Sequence, residues 1–549
     1  MTDDDGMRRG AALMASGTAV SRVLGLLRGM VMVSAIGATG QAADAFAVAN
    51  KLPNVLYMLL AGGVLNAILV PQVVRAYKRK AGQEYVDRLL TLGFVVLAAA
   101  TVVLTLLAPV LINLYSSFGN PAQDALATTF AYWCIPQLFF YGVYALLGQV
   151  LNARGSFGPY MWAPAVNNVV AIVGFGIFIA VFGGWEESGV VDAASWTPGQ
   201  TALLAAAATL GVIAQAVVLI PSLRRAGVHY RPRWGLRGSG LSTAGGVATW
   251  TLAGLAVGQL GFLVVTRIGS AAPAAAVADG VAKTAVAGPG AYDVAFLIFM
   301  LPHSLVTVSL ATALFTRLSA QAHDADVDGV RGTLSSGLRV VSVFTIFATA
   351  AIVVLALPLT RVVLATATEG SADAVSAVVL AMILGLPAFG AWSMFQRAYY
   401  AYEDARSMVP IQVVMAAVVV LGAVLSQQLL HPTSWVVGTG AAMSVSYVVG
   451  ALLAQWRLRR RLDGIDGPRV VQVLARSTLA ALVSAGIGGL VLLLLGRSLS
   501  TGLMASIIEC AVVGTVMGLV YVGALRVLRV RELDSLLLPL LRRLPGRRR

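Results

Sequence analysis

The chain has 549 residues, 58% of them hydrophobic and only 11% charged, and its mean hydropathy is +0.83; soluble domains carry about 25% charged residues. So little polar surface excludes a soluble enzyme, a disordered chain and a disulfide scaffold, and leaves a polytopic membrane protein. The net charge of +15, from 39 basic and 24 acidic residues, gathers in short arginine clusters between apolar stretches, a pattern that sets membrane orientation and excludes a nucleic-acid partner.

A membrane span needs about 20 apolar residues. In chain order, a first helix over 10–36 carries Arg22 and Arg28, and charge-free runs follow at 53–74, 89–114, 125–153, 155–185, 193–223, 238–266, 294–316, 340–360 and 374–396. Two helices fit in 407–456, divided near His431 and Pro432; one occupies 477–496, and a last one from 498 is interrupted by Glu509. The expectation is an all-α membrane protein of about 14 helices. The acidic start at Asp3, Asp4 and Asp5, followed by Arg8 and Arg9, lacks the small-residue cleavage site of a secretory signal, so the first helix is expected to be retained. Cys134 and Cys510 lie in apolar stretches and read as inert buried thiols.

The basic clusters alternate consistently with this count. Arg75, Lys78, Arg79, Lys80 and Arg88 fall on one side, with Arg224, Arg225, Arg231, Arg233 and Arg237, then Arg457, Arg459, Arg460, Arg461 and Arg469, and the tail arginines Arg542 to Arg549. Glu186, Glu187 and Asp192 fall on the other, with Lys283, Arg361 and Arg497 as its basic residues. Both termini are therefore expected in the cytoplasm. The stretch from Leu533 to Arg549 reads either as an inner-leaflet amphipathic segment or as a solvated basic tail. Outer loops are too short for an extracytoplasmic catalytic domain.

The halves echo each other. Leu52-Pro53 recurs as Leu301-Pro302 and Ile135-Pro136 as Leu386-Pro387, and Asn152-Ala153-Arg154 parallels Tyr400-Ala401, each of that last pair followed by a helix-opening proline, Pro164 and Pro410. Offsets near 250 residues predict two six-helix lobes built from an internal repeat. The divisions are 1–233 for the N-terminal lobe, 234–460 for the C-terminal lobe, and 461–549 for two further helices and a basic tail.

Ionisable groups within membrane helices are expensive and mark function. Arg22 and Arg28 lie about 120° apart around one helix and roughly 9 Å along it, so both can line a broad cavity. Asp44 and Lys51 share a helix face, with Pro53 and Asn54 following. Two readings stand: a cavity for an anionic ligand, or an ion pair of Asp44 with Arg22 or Arg28. In the second lobe Arg267 either snorkels or faces the cavity, and His303 either titrates or is a satisfied buried histidine. The candidate binding set is Arg22, Arg28, Asp44, Lys51, Asn54 and Arg267. Arginine suits a phosphate ligand because its planar fork binds oxygens in pairs.

SGTAVSRVLGLLR from Ser16 to Arg28 and DAFAVANKLPN from Asp44 to Asn54 resemble the opening signature of the MurJ (MviN) lipid II flippase family of the MOP exporter superfamily. LNARGSFGPYMWAPAVNN from Leu151 to Asn168 and QRAYYAYEDARSMVP from Gln396 to Pro410 resemble its other recurring segments. The resemblance spans the chain. It implies a MOP/MATE-like fold in the bacterial cytoplasmic membrane. It also implies transport of the undecaprenyl-pyrophosphate-linked peptidoglycan precursor from the inner to the outer leaflet by alternating access, no enzymatic activity, and no cofactor. Coupling to sodium or to the membrane potential, and contact with membrane lipids and other cell-wall synthesis proteins, follow from the same resemblance. Arg22 and Arg28 then match cavity arginines that meet the pyrophosphate, and Asp44 a cavity aspartate.

This chain departs from the family pattern at Tyr57-Met58, where many members carry a basic pair, at Gly62-Gly63, where they carry Glu-Gly, and at Leu297, where the eighth helix carries an arginine. Arg267 is then the candidate substitute for that arginine. The alternatives are an exporter of another lipid-linked oligosaccharide, a cation-coupled antiporter of the same superfamily, and a non-transporting scaffold for cell-wall synthesis.

Overall fold

The computed structural model describes residues 3–60, 83–185, 192–234, 245–365, 368–404, 406–498 and 502–532, with side chains from residue 16 and, in the helix that starts at 245, from 256. Several of the residues singled out above lie outside them: Gly62-Gly63, Arg75, Lys78, Arg79, Lys80, Glu186, Glu187, Arg237 and the 533–549 tail. The described residues form helices and short connections without a strand. With no water in the hydrocarbon core, a chain this apolar satisfies its backbone internally, and the helix does so within one segment.

The chain separates into two compact units, Met1–Gly290 and Ala291–Arg549. The division at 233/234 expected from the repeat concerns sequence similarity between halves, a different quantity from this grouping.

In the first unit the elements are α1 (Asp3–Ile36), α2 (Gln41–Leu60), α3 (Gln83–Leu106), α4 (Ala108–Tyr115), α5 (Pro121–Cys134), α6 (Gln137–Ala153), α7 (Phe157–Phe182), α8 (Pro198–Val217), α9 (Leu219–Arg225) and α10 (Gly245–Ala278). Helix α7 is sandwiched between α1 and α8, α2 packs on α5, and α10 lies along α2 and α4. One core cluster gathers Phe46, Phe130, Phe175, Phe178, Leu52 and Ile112, with the rings of Phe46 and Phe130 edge to face at 5.3 Å. A second, built on Leu90, Leu97, Leu146 and Leu151, fills the other end of the unit. There the 228–234 segment is strapped to α3: Tyr230 and Thr91 hydroxyls pair at 3.0 Å and Arg233 pairs with Glu84 at 2.9 Å.

The second unit holds α11 (Pro289–Pro302) from its third residue, then α12 (Val308–His323), α13 (Val327–Val363), α14 (Glu369–Ile383), α15 (Leu386–Ala401), α16 (Val409–Leu429), α17 (Trp435–Arg461), α18 (Gly467–Ser498) and α19 (Leu503–Val527). Helix α13, 37 residues long, is the post against which α12, α14, α15, α18 and α19 pack. Apolar side chains gain little by leaving lipid, so packing and hydrogen bonds between helices hold such bundles. Ser484 Oγ donates to Met517 O at 2.8 Å, and the Tyr521 hydroxyl to Val343 O at 2.7 Å.

Twelve helical stretches among the described residues are long and apolar enough to cross a membrane, and the bent pair α14–α15, at 47°, makes thirteen. The expected count of fourteen is not reached among them. Helix α2 is the difference: Asp44, Asn50, Lys51 and Asn54 lower its hydropathy, and it is described only to Leu60. Of the repeated prolines Pro136 and Pro387 coincide with breaks, whereas Pro53 lies inside α2 and Pro164 lies inside α7 instead of opening it. Helix α5 gives way to α6 at Ile135-Pro136, and α14 to α15 next to Leu386-Pro387. Proline supplies no N–H to the preceding turn and crowds its carbonyl, so the helical ladder is interrupted at both places, with a 47° bend between α14 and α15. At Pro302 the backbone passes through a π-turn, His303–Thr307, before α12.

Candidate ligand-binding site in the first unit

Helix α1 is held in register by α7. Asn168 Nδ2 donates to the Ser21 carbonyl at 2.8 Å, and the neighbouring Asn167 Nδ2 donates to Gln215 Oε1 on α8 at 2.8 Å. Adjacent amides on α7 thus tie it to the helices on either side. This fixes the height of the two arginines of α1. Arg22 is half-buried, and its Nη1 is buried with no hydrogen-bond partner. A buried charged donor left unbonded costs free energy, so its retention points to a ligand. Arg28, less than two turns on, is half-buried beside the Tyr141 hydroxyl and Cys134. Among the described residues neither arginine forms an ion pair.

Asp44 sits in the first turn of α2, 1% exposed. Its Oδ1 accepts the Gly290 backbone N–H at 2.9 Å. Beside it the Thr39 hydroxyl donates to Thr284 O at 2.8 Å. Glycine is required where the segments meet: a β-carbon at Gly288 would overlap the Asp44 carboxylate, and one at Gly290 would lie 2.7 Å from Ala38 O. Asp44 therefore ties the start of α2 to the 284–290 segment, and the ion pair with Arg22 or Arg28 is not formed. The same carboxylate lines a cavity of about 270 Å³ with Gln41, Asn120, Gln123 and Pro273. Gln123 Nε2 donates to Gln41 O at 3.0 Å, and Gln41 Oε1 accepts from Ala193 N at 2.8 Å.

Lys51 lies over the Phe262 ring of α10 at 4.9 Å, a cation–π contact. Asn54 is exposed. Arg267 is placed differently from the other arginines: its Nη1 donates to Asn113 O at 2.7 Å, Leu114 O at 3.3 Å and Ser116 O at 3.4 Å. These are carbonyls at the C-terminal end of α4, which lack partners within the helix and attract a cation. Close by, Ser117 N donates to Ser270 Oγ at 2.8 Å. Arg267 thus clasps α10 to the end of α4. In the second unit His303 is buried in the π-turn, with Ser393 Oγ 3.5 Å from its Nε2 and the Phe389 ring centred 4.1 Å away.

Sequence reasoning passed over two groups. One is a ladder of buried amides and hydroxyls: Gln137 Nε2 donates to Asn50 Oδ1 at 3.2 Å and to Thr209 Oγ1 at 3.1 Å, and Thr209 Oγ1 to Trp133 O at 2.9 Å. The signal was an uncharged polar residue inside an apolar run, which a search for charges misses. The other is a set of tyrosines that reaches Arg28 through Tyr141: Tyr57 and Tyr141 with ring centroids 5.8 Å apart, and Tyr144 stacked on Tyr160 at 4.7 Å.

A family model described as lipid II flippase MurJ matches residues 32–512. Among similar proteins, the lipid II flippase MurJ of Burkholderia cenocepacia is 27% identical over 493 residues, 87% of this chain and 89% of that one. The probable lipid II flippase MurJ of Vibrio cholerae is 27% identical over 423 residues, 74% of this chain and 75% of that one. Among solved structures, an inward closed conformation of lipid II flippase MurJ matches with a TM-score of 0.70 at 17% identity, covering 94% of this chain and 100% of the other. An inward-facing multidrug MATE transporter of the MOP superfamily matches with a TM-score of 0.63 at 15% identity, covering 83% and 99%. At such identities the structural likeness speaks for the fold alone.

Proposed function

Because the chain belongs to the lipid II flippase MurJ family, we propose that it carries lipid II, the undecaprenyl-pyrophosphate-linked peptidoglycan precursor, from the inner to the outer leaflet of the bacterial cytoplasmic membrane by alternating access. The observation that carries this reading is the buried Arg22 Nη1 without a partner on the helix that also bears Arg28. A pyrophosphate offers paired oxygens to such planar donors, and the low dielectric strengthens each charge-assisted bond. Arg22 and Arg28 meet the pyrophosphate, Asp44, Lys51 and Asn54 line the path, and the isoprenoid tail stays in lipid. Arg267 serves this path by holding α10 in place. The chain acts as a transporter and makes or breaks no covalent bond.

Both termini face the cytoplasm in this reading, which the arginines at 224–233 and 457–461 support. The membrane potential supplies a driving force: moving one negative charge outward against a negative interior is favourable by about 2.3 kcal/mol per 100 mV. No cofactor is invoked, and sodium coupling is the competing source. The two guanidiniums disfavour a cationic drug as cargo, which separates this reading from a multidrug antiporter.

The test is complementation. Cells depleted of their resident lipid II flippases and dependent on this chain should expose lipid II at the outer surface. Exposure of a different pyrophosphate-linked glycan in place of lipid II would contradict the reading, and so would normal exposure with both arginines replaced by alanine, the outcome expected of a scaffold. Dissipating the potential at constant sodium should slow exposure; slowing only on sodium removal would assign the coupling to sodium.

A further inference from the structure

Four tyrosines meet on three helices of the first unit: Tyr57 on α2, Tyr141 and Tyr144 on α6, and Tyr160 on α7. Tyr141 and Tyr144 are three residues apart and share one face of α6. Tyr57 leans on Tyr141 at 5.8 Å with the planes tilted by 37°. Tyr160 stacks on Tyr144 at 4.7 Å and 18°. The stack exists because residue 148 is glycine: a β-carbon there would overlap the Tyr160 ring, which instead lies against the bare backbone of α6. The Tyr144 hydroxyl donates to Tyr160 O at 3.0 Å, and the Gln215 side chain reaches the same hydroxyl. Arg28 stands beside Tyr141.

This cluster differs from the aromatic core of the same unit. The large fully buried rings there, Phe46, Phe118, Phe130, Phe175 and Phe178, carry no polar atom, whereas all four tyrosines are only half-buried. Phenol oxygens cost free energy to enclose unless they are bonded, so phenylalanine would serve packing better at Tyr57 and Tyr141. Partly exposed rings that offer an apolar face and a hydroxyl, next to a cation, make a surface suited to a polyhydroxylated ring.

We propose that Tyr57, Tyr141, Tyr144 and Tyr160 form a saccharide subsite beside Arg28, which takes the pyranose ring joined to the pyrophosphate while the arginines hold the phosphates. The sugar's C–H face stacks on the rings and its hydroxyls exchange hydrogen bonds with the phenols and Gln215. This rests on the transport reading above and adds the source of discrimination between glycosylated and bare pyrophosphate lipids.

The test measures binding to the full-length protein in nanodiscs with two probes, lipid II and undecaprenyl pyrophosphate, which share the tail and the pyrophosphate but differ in the glycan. Wild type should prefer lipid II. Tyr57→Ala should weaken lipid II binding about tenfold and leave undecaprenyl pyrophosphate binding unchanged, removing the preference. Tyr57→Phe keeps the ring and its packing, so it should fold as wild type and retain most of the preference; it guards against misfolding of the alanine variant. Equal losses for both probes, or no loss for either, would overturn the subsite. A wild type that binds both probes equally would also overturn it while leaving the transport reading standing, whereas binding of neither would remove both.

Discussion

The Asp44 carboxylate accepts the backbone N–H of Gly290 at 2.9 Å across 246 residues of sequence. A side chain read from sequence as a cavity residue is therefore also a tie between the start of α2 and the 284–290 segment. Gly288→Ala places a methyl group on that carboxylate. Losing a buried hydrogen bond to a charged group should cost about 1.5–3 kcal/mol. Thermal unfolding in detergent should show the loss, with Asp44→Asn, which keeps an acceptor, falling less than Gly288→Ala. Equal stability of Gly288→Ala and wild type would show that the segment yields without cost.

Arg339 Nε and Glu532 Oε1 lie 2.6 Å apart, with side chains 19% and 16% exposed, tying the segment after α19 to α13. Ser335 Oγ also accepts from Arg339. Removing one partner of a mostly buried pair costs about 3 kcal/mol because the other charge is stranded. Arg339→Met alone should therefore lower stability more than Arg339→Met combined with Glu532→Leu. Additive losses in a double-mutant cycle would mean that the pair is not coupled.

Asp404 lies in the connection between α15 and α16. Partial burial raises its carboxyl pKa, but the hydroxyl and N–H of Ser407, together with Arg461, outweigh this and hold it below the ordinary value of 3.8. A folded pKa below the unfolded one gives stability that is fully present above the unfolded value and lost as pH falls through the folded value. Hydrogen exchange in 402–404 and 406–408 should thus stay flat from pH 7 to about 4, after correction for the intrinsic rate, and quicken below. Asp404→Asn should show the quickened exchange already at pH 7; protection equal to wild type in that variant would contradict the assignment.

Arg267→Ala separates a clasp from a ligand. With its Nη1 on the carbonyls that end α4, its loss should lower the melting temperature and leave the affinity for inorganic pyrophosphate within about twofold of wild type, less than the loss of a direct charged contact would produce. A loss of pyrophosphate affinity without a change in melting temperature would place Arg267 among the ligands.

Much of the fold was legible because lipid imposes a coarse code: about 20 apolar residues per crossing, punctuated by charge. Ile135-Pro136 and Leu386-Pro387 read in the sequence only as marks of the repeat, inside single spans at 125–153 and 374–396; the breaks beside them emerge in the structure, where a proline's missing N–H acts locally. Helix α2 fits the hydropathy code poorly, since Asp44, Asn50 and Lys51 are tolerated only through partners such as Gln137 and the Phe262 ring, far away in sequence. The site was legible as types of residue. Arg22 and Arg28 announce themselves by being charged in a membrane helix, but nothing local to Arg267 reveals that carbonyls at 113–116 meet it. Tyr57 stood out only as a departure from the family pattern, and Tyr141, Tyr144 and Tyr160 passed unnoticed because an aromatic in an apolar run reads as packing until its hydroxyl is placed beside others.

The central claim is that the arginines of α1 move an anionic lipid headgroup. The most direct measurement reconstitutes the purified chain in liposomes with labelled lipid II and follows the rate at which the headgroup changes leaflets, for wild type and for Arg28→Ala inserted to the same level. The account predicts transfer by wild type and a fall to the protein-free rate in the variant. Equal transfer by the two proteins would contradict it.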